Sequence, residues 1–177
     1  MKCFAFISYS RADLEIANWL HKKLEKYPYP LNLVKVENRP SHDKYVRKVF
    51  MDIKDLSVTE HEFTEDIKQC LEESRYLIVL CSQNSVSSDF VNKEIDYFLK
   101  THGNNDELIL PVFIDKVEEN VPSSLSQKSV LKRNCPIYNS KLSEKSEANQ
   151  YCFYHVASFL LKVDFTDLYD RYESYSK

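Results

Sequence analysis

The sequence contains almost no glycine: Gly103 is the single glycine among 177 residues. Phosphate-binding loops of the P-loop and G-x-G-x-x-G types need several glycines, because their backbone must come close to the phosphate groups. The G-x-S-x-G turn that carries the nucleophile of α/β-hydrolases is equally excluded. A nucleotide-binding or hydrolytic site in this chain must therefore be built without a glycine-rich loop.

Long apolar runs and a strong net charge are also missing. No run of 18 or more apolar residues occurs, so the sequence predicts no membrane span. The opening residues 1–7 are too short and too strand-like for a secretory signal. The net charge is -3, and the basic residues do not form a stripe interleaved with aromatic residues, so we expect no nucleic-acid partner.

The cysteine pattern points to reduced thiols. The five cysteines are odd in number and widely spaced, and no two of them form a C-x-x-C pair. Such usage is typical of a cytoplasmic protein and not of a disulfide framework, and we expect no metal site. No histidine is paired with a cysteine in the sequence, which argues against a cysteine nucleophile.

Apolar runs and helical patterns alternate along the chain, and an apolar content of 43% is enough for the core of one domain. Continuous apolar strands separated by amphipathic helices predict a parallel sheet that is covered on both faces. We expect a flavodoxin-like α/β fold with five strands in the order 2-1-3-4-5. The predicted strands cover residues 3–9, 47–51, 76–81, 108–114 and 133–138, and the predicted helices cover residues 13–26, 89–100 and 147–163, with a further helix that opens at Thr59.

Local signals mark the ends of several elements. Thr59 followed by Glu62 fits a capping box at the start of the second helix. Gly103 closes the third helix, and Pro111 places the fourth strand at or near an edge of the sheet. The domain is expected to span residues 1–163, followed by a C-terminal tail, residues 164–177, that would lead to a further module.

Polar residues cluster where the predicted strand order reverses. In the order 2-1-3-4-5 the reversal lies between strands one and three, and ligands bind there at the carboxyl ends of the strands. Residues 8–11, 52–58 and 82–85 follow the ends of the first three strands, and the third helix starts from the same edge. We therefore expect these four segments to converge on one cleft.

Glu94 is the best placed ionisable group in this expected cleft. At about 100° per residue, Val91, Ile95, Phe98 and Leu99 share one face of the third helix, and Glu94 lies on the flank of that face. We expect its carboxylate to line the cleft, neither fully solvated nor fully buried. The alternative is a surface glutamate that happens to border the core.

Four segments together resemble the successive boxes of a TIR (Toll/interleukin-1 receptor) domain of bacterial type. They are FISYSR at residues 6–11, VFMDIKDL at residues 49–56, LIVLCS at residues 77–82 and FVNKEI at residues 90–95. They occur in the order and spacing of the family, and the resemblance covers about residues 1–163. It implies the same flavodoxin-like fold.

The resemblance also implies two alternative functions. Some TIR domains cleave NAD+ at the nicotinamide–ribose bond and release ADP-ribose or a cyclic ADP-ribose isomer, in bacteria as antiphage immune signals. Others only assemble with further TIR domains as scaffolds. In the enzymatic group NAD+ is the substrate, so no cofactor is expected, and a glutamate in the third helix is the catalytic acid, which is Glu94 here. A scaffold needs no acid at that position.

The resemblance assigns roles to several further residues. Substrate-binding positions correspond to Ser8, Arg11, Asp52, Ser82 and Phe90, with Arg11 facing the phosphates and Phe90 replacing the usual tryptophan. The loop of residues 53–59 is similar to the loop that closes over the ligand and joins neighbouring subunits, so self-association is expected. Its candidate residues are Ile53, Asp55 and Leu56, with Asp55 near the place of a basic residue often found there.

Simpler interpretations of these residues remain open. Arg11 could pair with Asp13 at the surface, Asp52 could cap a turn, and Ser82 could satisfy loop backbone groups. A receiver domain shares the fold but needs an acidic pair after strand one and an aspartate after strand three. Serine and arginine occupy those places, which excludes a receiver.

Overall fold

A computed structural model describes residues 3–40, 44–52, 63–126 and 128–176 of the chain. Its five strands form one parallel sheet in the order β2-β1-β3-β4-β5, which confirms the predicted flavodoxin-like fold. Helices cover both faces of this sheet. The strands are β1 Cys3–Ser8, β2 Val49–Met51, β3 Ser74–Cys81, β4 Ile109–Ile114 and β5 Ile137–Tyr138.

The helices pack on the two faces of the sheet as two separate apolar cores. They are α1 Leu14–Glu25, α2 Glu65–Glu73, α3 Asp89–Thr101, α4 Glu147–Leu161 and α5 Phe165–Ser176. Successive residues of a strand point to opposite faces, so Ile7 and Tyr9 face the core of α1, α4 and α5, while Phe6 faces the core of α2 and α3. Ser8, two residues after Phe6, faces α3 and contacts Glu94 there.

The ends of the helices are set by local hydrogen bonds. Ser88 caps α3 by accepting a hydrogen bond from the amide of Val91. Gly103 follows that helix with a φ of +66°, and the amide of Asn104 donates to the carbonyl of Leu99, as in a Schellman motif. The prediction that Gly103 closes this helix is therefore confirmed.

The start of the second helix differs from the prediction. Helix α2 begins at Glu65, and Thr64 is its N-cap, accepting from the amide of Ile67. Phe63 precedes the helix instead of lying on it. Thr59 and Glu62, the predicted capping box, lie outside the described residues. Two threonines followed by acidic residues lie close together in this sequence, and the sequence pattern alone does not distinguish them.

Two further elements differ from expectation. The fifth strand comprises only residues 137 and 138 of the expected 133–138. It pairs with β4, so the prediction that Pro111 lies in a strand at or near an edge is confirmed. The segment expected as a tail forms α5, whose Leu168 is buried against the core of α1 and α4. Its aromatic residues recur at helical spacing and supply this packing.

None of the helices in the described parts of the chain has the length and apolar character that crossing a bilayer requires.

Candidate functional site

A buried carboxylate and a buried hydroxyl meet at the carboxyl end of β1. The Ser8 hydroxyl donates a hydrogen bond of 2.8 Å to Oε1 of Glu94. Ser8 is the last residue of β1, and Glu94 lies one and a half turns into α3, 86 residues further along the chain. The fold therefore brings two of the predicted site residues into direct contact. The hydrogen bond orients the Glu94 carboxylate at the end of β1.

The expectation that Glu94 is partly solvated is wrong, because its exposed fraction is 1%. On its own helix Phe90, Val91 and Ile95 are also buried. The Phe63 ring meets the Phe90 ring edge to face, with centroids 6.1 Å apart. The first turns of α3 lie over the end of β1. The flank of the apolar face of α3, where Glu94 lies, is therefore buried as well as the centre of that face. The apolar side chains around Glu94 strengthen its electrostatic interactions relative to those in water.

A second polar cluster lies at the same edge of the sheet and centres on Asp13. One carboxylate oxygen of Asp13 accepts from the Ser82 hydroxyl, and the other accepts from the Asn84 side-chain amide at 3.1 Å. The Ser82 oxygen in turn accepts from the backbone amides of Asn84 and Ser85, both at 3.1 Å. This network fastens the turn after β1 to the loop after β3. The interpretation that Ser82 satisfies loop backbone groups is confirmed.

The Asp13 cluster lines the wall of an open cleft of about 670 Å³. The cleft lies between the start of α1, the loop after β3 and the loop after β4, and Ile114, Asp115 and Asn120 contribute to its lining. Helix α1 belongs to one core and α3 to the other. The prediction that all four segments converge on one cleft is therefore corrected. Ser8 and the start of α3 meet on one side of the sheet, whereas Asp13 and the loop after β3 line the cleft on the other. Residues 53–58 of the expected cleft lie outside the described residues.

The remaining predicted site residues lie around these two groups. Asp13 is 6% exposed and bonded to Ser82 and Asn84, so the simpler interpretation in which it pairs with Arg11 at the surface is wrong. Arg11 opens the short helical turn Arg11–Asp13 and is half-buried. The Tyr9 hydroxyl donates to the carbonyl of Asp52, which holds the end of β2 against β1. Ile53, Asp55 and Leu56 lie outside the described residues.

The cysteine thiols do not resemble nucleophiles. Burial raises the pKa of the Cys152 thiol to about 12 and that of Cys70 to about 11. Burial also raises the pKa of Cys81, the last residue of the central strand β3. A thiol is nucleophilic as the thiolate, and these three are protonated at neutral pH. Among the described residues, no three His, Cys, Asp or Glu side chains are grouped so that they could hold a metal ion.

Sequence reasoning overlooked Asp13 and Tyr9 as organisers of this edge. The sequence suggests Asp13 only as a partner of Arg11, and it places Tyr9 at the end of the first strand without indicating its contact with Asp52. The signal for Asp13 was weak, because its partner Ser82 lies 69 residues away. An aspartate just before a helix is usually interpreted as a cap, but here its side chain makes no capping hydrogen bond.

Comparison with known proteins gives one family. The model of the TIR domain family matches residues 5–139. A protein named NAD(+) hydrolase ApTIR, from Actinoplanes sp. strain SE50/110, is 32% identical over 113 residues, which are 63% of this chain and 14% of that protein. This chain thus spans a small part of the length of that relative.

A solved structure agrees on the fold. The TIR domains of the activated Roq1 resistosome, which directly recognises the pathogen effector XopQ, superpose with a TM-score of 0.52 at 16% sequence identity. The match covers 88% of this chain and 98% of that chain. At this identity the similarity concerns the fold alone. The family model, however, covers most of this sequence, and the chain belongs to the TIR domain family.

Proposed function

We propose that this domain cleaves NAD+ at the nicotinamide–ribose bond, with Glu94 as the catalytic carboxylate. The observation that carries the proposal is the buried Glu94 carboxylate, held by the Ser8 hydroxyl at the carboxyl end of the sheet. Ligands of doubly wound sheets bind at this end. The similarity to a protein named NAD(+) hydrolase supports the same reaction, although that protein is far longer than this chain.

The chemistry requires one well-placed carboxylate. Breaking the bond between nicotinamide and ribose develops positive charge at the anomeric carbon. A carboxylate near the ribose stabilises that charge, as in glycoside hydrolysis, and it can accept hydrogen bonds from the ribose hydroxyls. Nicotinamide is cationic in the substrate and leaves as a neutral molecule, so no general acid is needed. Glu94 would supply the carboxylate, and Ser8 would orient it.

The burial of Glu94 has a consequence for activation. A carboxylate that is 1% exposed in the single chain can meet a ribose only after groups around it rearrange. We propose that self-association through the loop of residues 53–59 supplies this rearrangement, with Ile53 and Leu56 at the contact. Head-to-tail contacts of this kind build open assemblies. The domain would then be nearly inactive when dilute.

The reaction products would define the signalling role. Water attack on the ribosyl cation gives ADP-ribose, whereas attack by a group of the same molecule gives a cyclic isomer. Either product would suit a nucleotide signal in bacterial antiphage immunity, as the family resemblance implies. Mass analysis of the products formed from NAD+ distinguishes the two, because ADP-ribose is heavier than its cyclic isomer by one water.

The test is release of nicotinamide from NAD+ by the purified protein over a wide range of protein concentrations. We expect specific activity to rise with protein concentration. A folded protein that releases no nicotinamide at any concentration would contradict the proposal and support the scaffold alternative. The Glu94→Gln variant is the control for contaminating activity.

The assembly step has its own test. The variant Leu56→Asp places a charge at the proposed contact, where a buried charge disfavours an apolar contact between chains. We expect it to lower specific activity at high protein concentration and to leave thermal unfolding unchanged. Sedimentation of both proteins measures assembly directly. Constant specific activity together with monomeric sedimentation of the wild-type protein at every concentration would refute activation by self-association.

A further inference from the structure

Charge is distributed very unevenly along this chain. Residues 22–48 contain eight Lys and Arg but only three Asp and Glu. The remaining residues contain 16 Lys and Arg and 24 Asp and Glu. The modest net charge of -3 therefore hides a strongly basic segment in an otherwise acidic domain. Such asymmetry indicates an oriented interaction with an acidic partner.

The structure gathers this segment at the amino-terminal end of the sheet. The carbonyl of Glu25, the last residue of α1, accepts from Arg47, and its carboxylate accepts from the amide of Val49 at the start of β2. Pro28 pairs with Tyr45 in an antiparallel bridge. The Arg75 guanidinium, at the start of β3, donates to the carbonyl of Glu37 at 2.7 Å. These contacts place residues 22–40 and 44–48 at one end of the molecule.

Most of the basic side chains in this region are exposed. We define the basic face as Lys22, Lys26, Lys35, Lys44, Arg47 and Lys48, all of which are exposed. Arg39 is instead half-buried and donates to the carbonyls of Leu31 and Val34, which fixes the loop that carries Lys35. Lys35 therefore stands on a loop whose conformation is held by hydrogen bonds to its own backbone, whereas Lys22 lies on α1.

Two aliphatic side chains project from the same loop. Val36 is 73% exposed and Leu31 is 50% exposed, and Val36 directly follows Lys35. Exposed aliphatic side chains are ordinary when they are scattered singly. Here two of them accompany the basic face, and their burial in an apolar medium would add to the electrostatic attraction.

We propose that the basic face, with Leu31 and Val36, binds the surface of a membrane that contains anionic lipids. Lysines near such a surface are attracted by the lipid headgroups, and aliphatic side chains enter the boundary with the acyl chains. Peripheral binding strengthens with the apolar area buried and with the electrostatic attraction to anionic lipids. The rest of the domain, which is acidic, would be repelled by the lipid, and this repulsion would orient the molecule.

A nucleic acid fits this surface less well. Proteins that bind single strands present aromatic side chains on which bases stack. In this segment Tyr29 is buried, and the Tyr27 ring packs against Phe153 and Tyr154. The Tyr45 ring is covered by the guanidinium of Arg47. The exposed side chains are lysines and aliphatic residues, which match a lipid surface.

The proposed orientation leaves the candidate site accessible. Ser8 and Glu94 lie at the carboxyl end of the sheet, whereas the basic face lies at the amino end. A domain bound through the basic face would thus present its candidate site, and the cleft beside Asp13, to the aqueous side. The membrane proposal does not depend on the proposed NAD+ cleavage.

The test is co-sedimentation with vesicles of phosphatidylcholine, alone or mixed with phosphatidylserine. We expect binding to the mixed vesicles only, weakening as salt is raised. Replacing Lys22, Lys26 and Lys35 by Gln should weaken binding about a hundredfold, at about fivefold for each basic side chain. The matched control replaces Lys116, Lys141 and Lys145, exposed lysines at the opposite end of the sheet, and should bind as the wild type does.

A second variant tests the aliphatic contribution. The double substitution Leu31→Asn and Val36→Asn keeps every charge and should weaken vesicle binding by about tenfold or more. Thermal unfolding of each variant checks the fold. The proposal is overturned if mixed vesicles do not bind at low salt, or if the control triple variant loses binding equally. A third pair of results would also overturn it: the double variant binds vesicles normally, and duplex DNA competes with the vesicles for the wild-type protein. Together these results would indicate a general polyanion site.

Discussion

Two buried carboxylates lie at the carboxyl end of the sheet, and they differ in their surroundings. Asp13 has both oxygens bonded to Ser82 and Asn84, and it connects two loops beside an open cleft. Glu94 accepts a hydrogen bond from Ser8 and lies among buried apolar side chains of α3. The cleft is on the α1 side of the sheet, whereas Glu94 is on the α3 side.

The comparison separates structural use of a carboxylate from catalytic use. Hydrogen bonds from neutral donors on both oxygens stabilise a buried aspartate and fix the loops that supply the donors. A glutamate in an apolar site makes strong electrostatic interactions with any charge that develops near it. The proposed function thus gives Asp13 a role in stability and Glu94 a role in chemistry, although the cleft lies beside Asp13. Opposite effects of matched amide substitutions would sharpen this assignment.

The largest expected effect is that of Glu94→Gln. Glutamine keeps the size of the side chain and loses the charge, so turnover of NAD+ should fall by about a hundredfold or more. The melting temperature should stay the same or rise, because a neutral amide costs less to bury than a carboxylate. Nicotinamide release and thermal unfolding measure the two outcomes. Wild-type turnover in this variant would show that Glu94 is not the catalytic carboxylate.

A smaller effect is expected for Ser8→Ala. The hydroxyl contacts the Glu94 carboxylate, so its loss should lower kcat by about tenfold and leave KM nearly unchanged. Steady-state kinetics give both constants. The matched control is Ser82→Ala, which removes a hydroxyl from the Asp13 cluster and should reduce stability without a specific loss of kcat. A raised KM with normal kcat for Ser8→Ala would instead support direct substrate binding by Ser8.

Arg11→Ala tests the substrate-binding side of the same edge. The guanidinium is expected to contact the diphosphate of NAD+, whose charge does not change during the reaction. Interactions that are equal in the ground state and the transition state appear in KM, so KM should rise by a few-fold to about tenfold, and kcat should change less. Kinetics with NAD+ at saturating and limiting concentrations check this. An isolated loss of kcat would contradict the assigned role.

The smallest effect on turnover is expected for Asp13→Asn. An amide cannot accept from Ser82 and Asn84 as the carboxylate does, so the free energy of unfolding should fall by about 1–3 kcal/mol. Turnover per folded molecule should change by less than about twofold, since Asp13 lies on the other side of the sheet from Glu94. Denaturant unfolding measures the stability. A large loss of turnover with normal stability would reverse the comparison between the two carboxylates.

Several parts of the fold could be predicted because their signals are local. The apolar run of residues 77–81 predicted the central strand. The regular alternation of such runs with helical patterns predicted a parallel sheet and its strand order. Ser88 and Gly103 lie at the two ends of α3, and hydrogen bonds between residues near in sequence fix both ends. The second helix start was missed because Thr64 and Thr59 carry similar signals.

The sequence by itself determined the class of fold, the absence of a glycine-rich phosphate loop and the choice of Glu94 as the candidate carboxylate. These conclusions rest on periodicity, composition and short motifs, which depend only on residues near one another in the chain. Only the tertiary structure decided which groups meet. The contacts of Ser8 with Glu94 and of Asp13 with Ser82 join residues 86 and 69 positions apart. Such contacts depend on how α1 and α3 pack on opposite faces of the sheet, and this packing also buries Glu94.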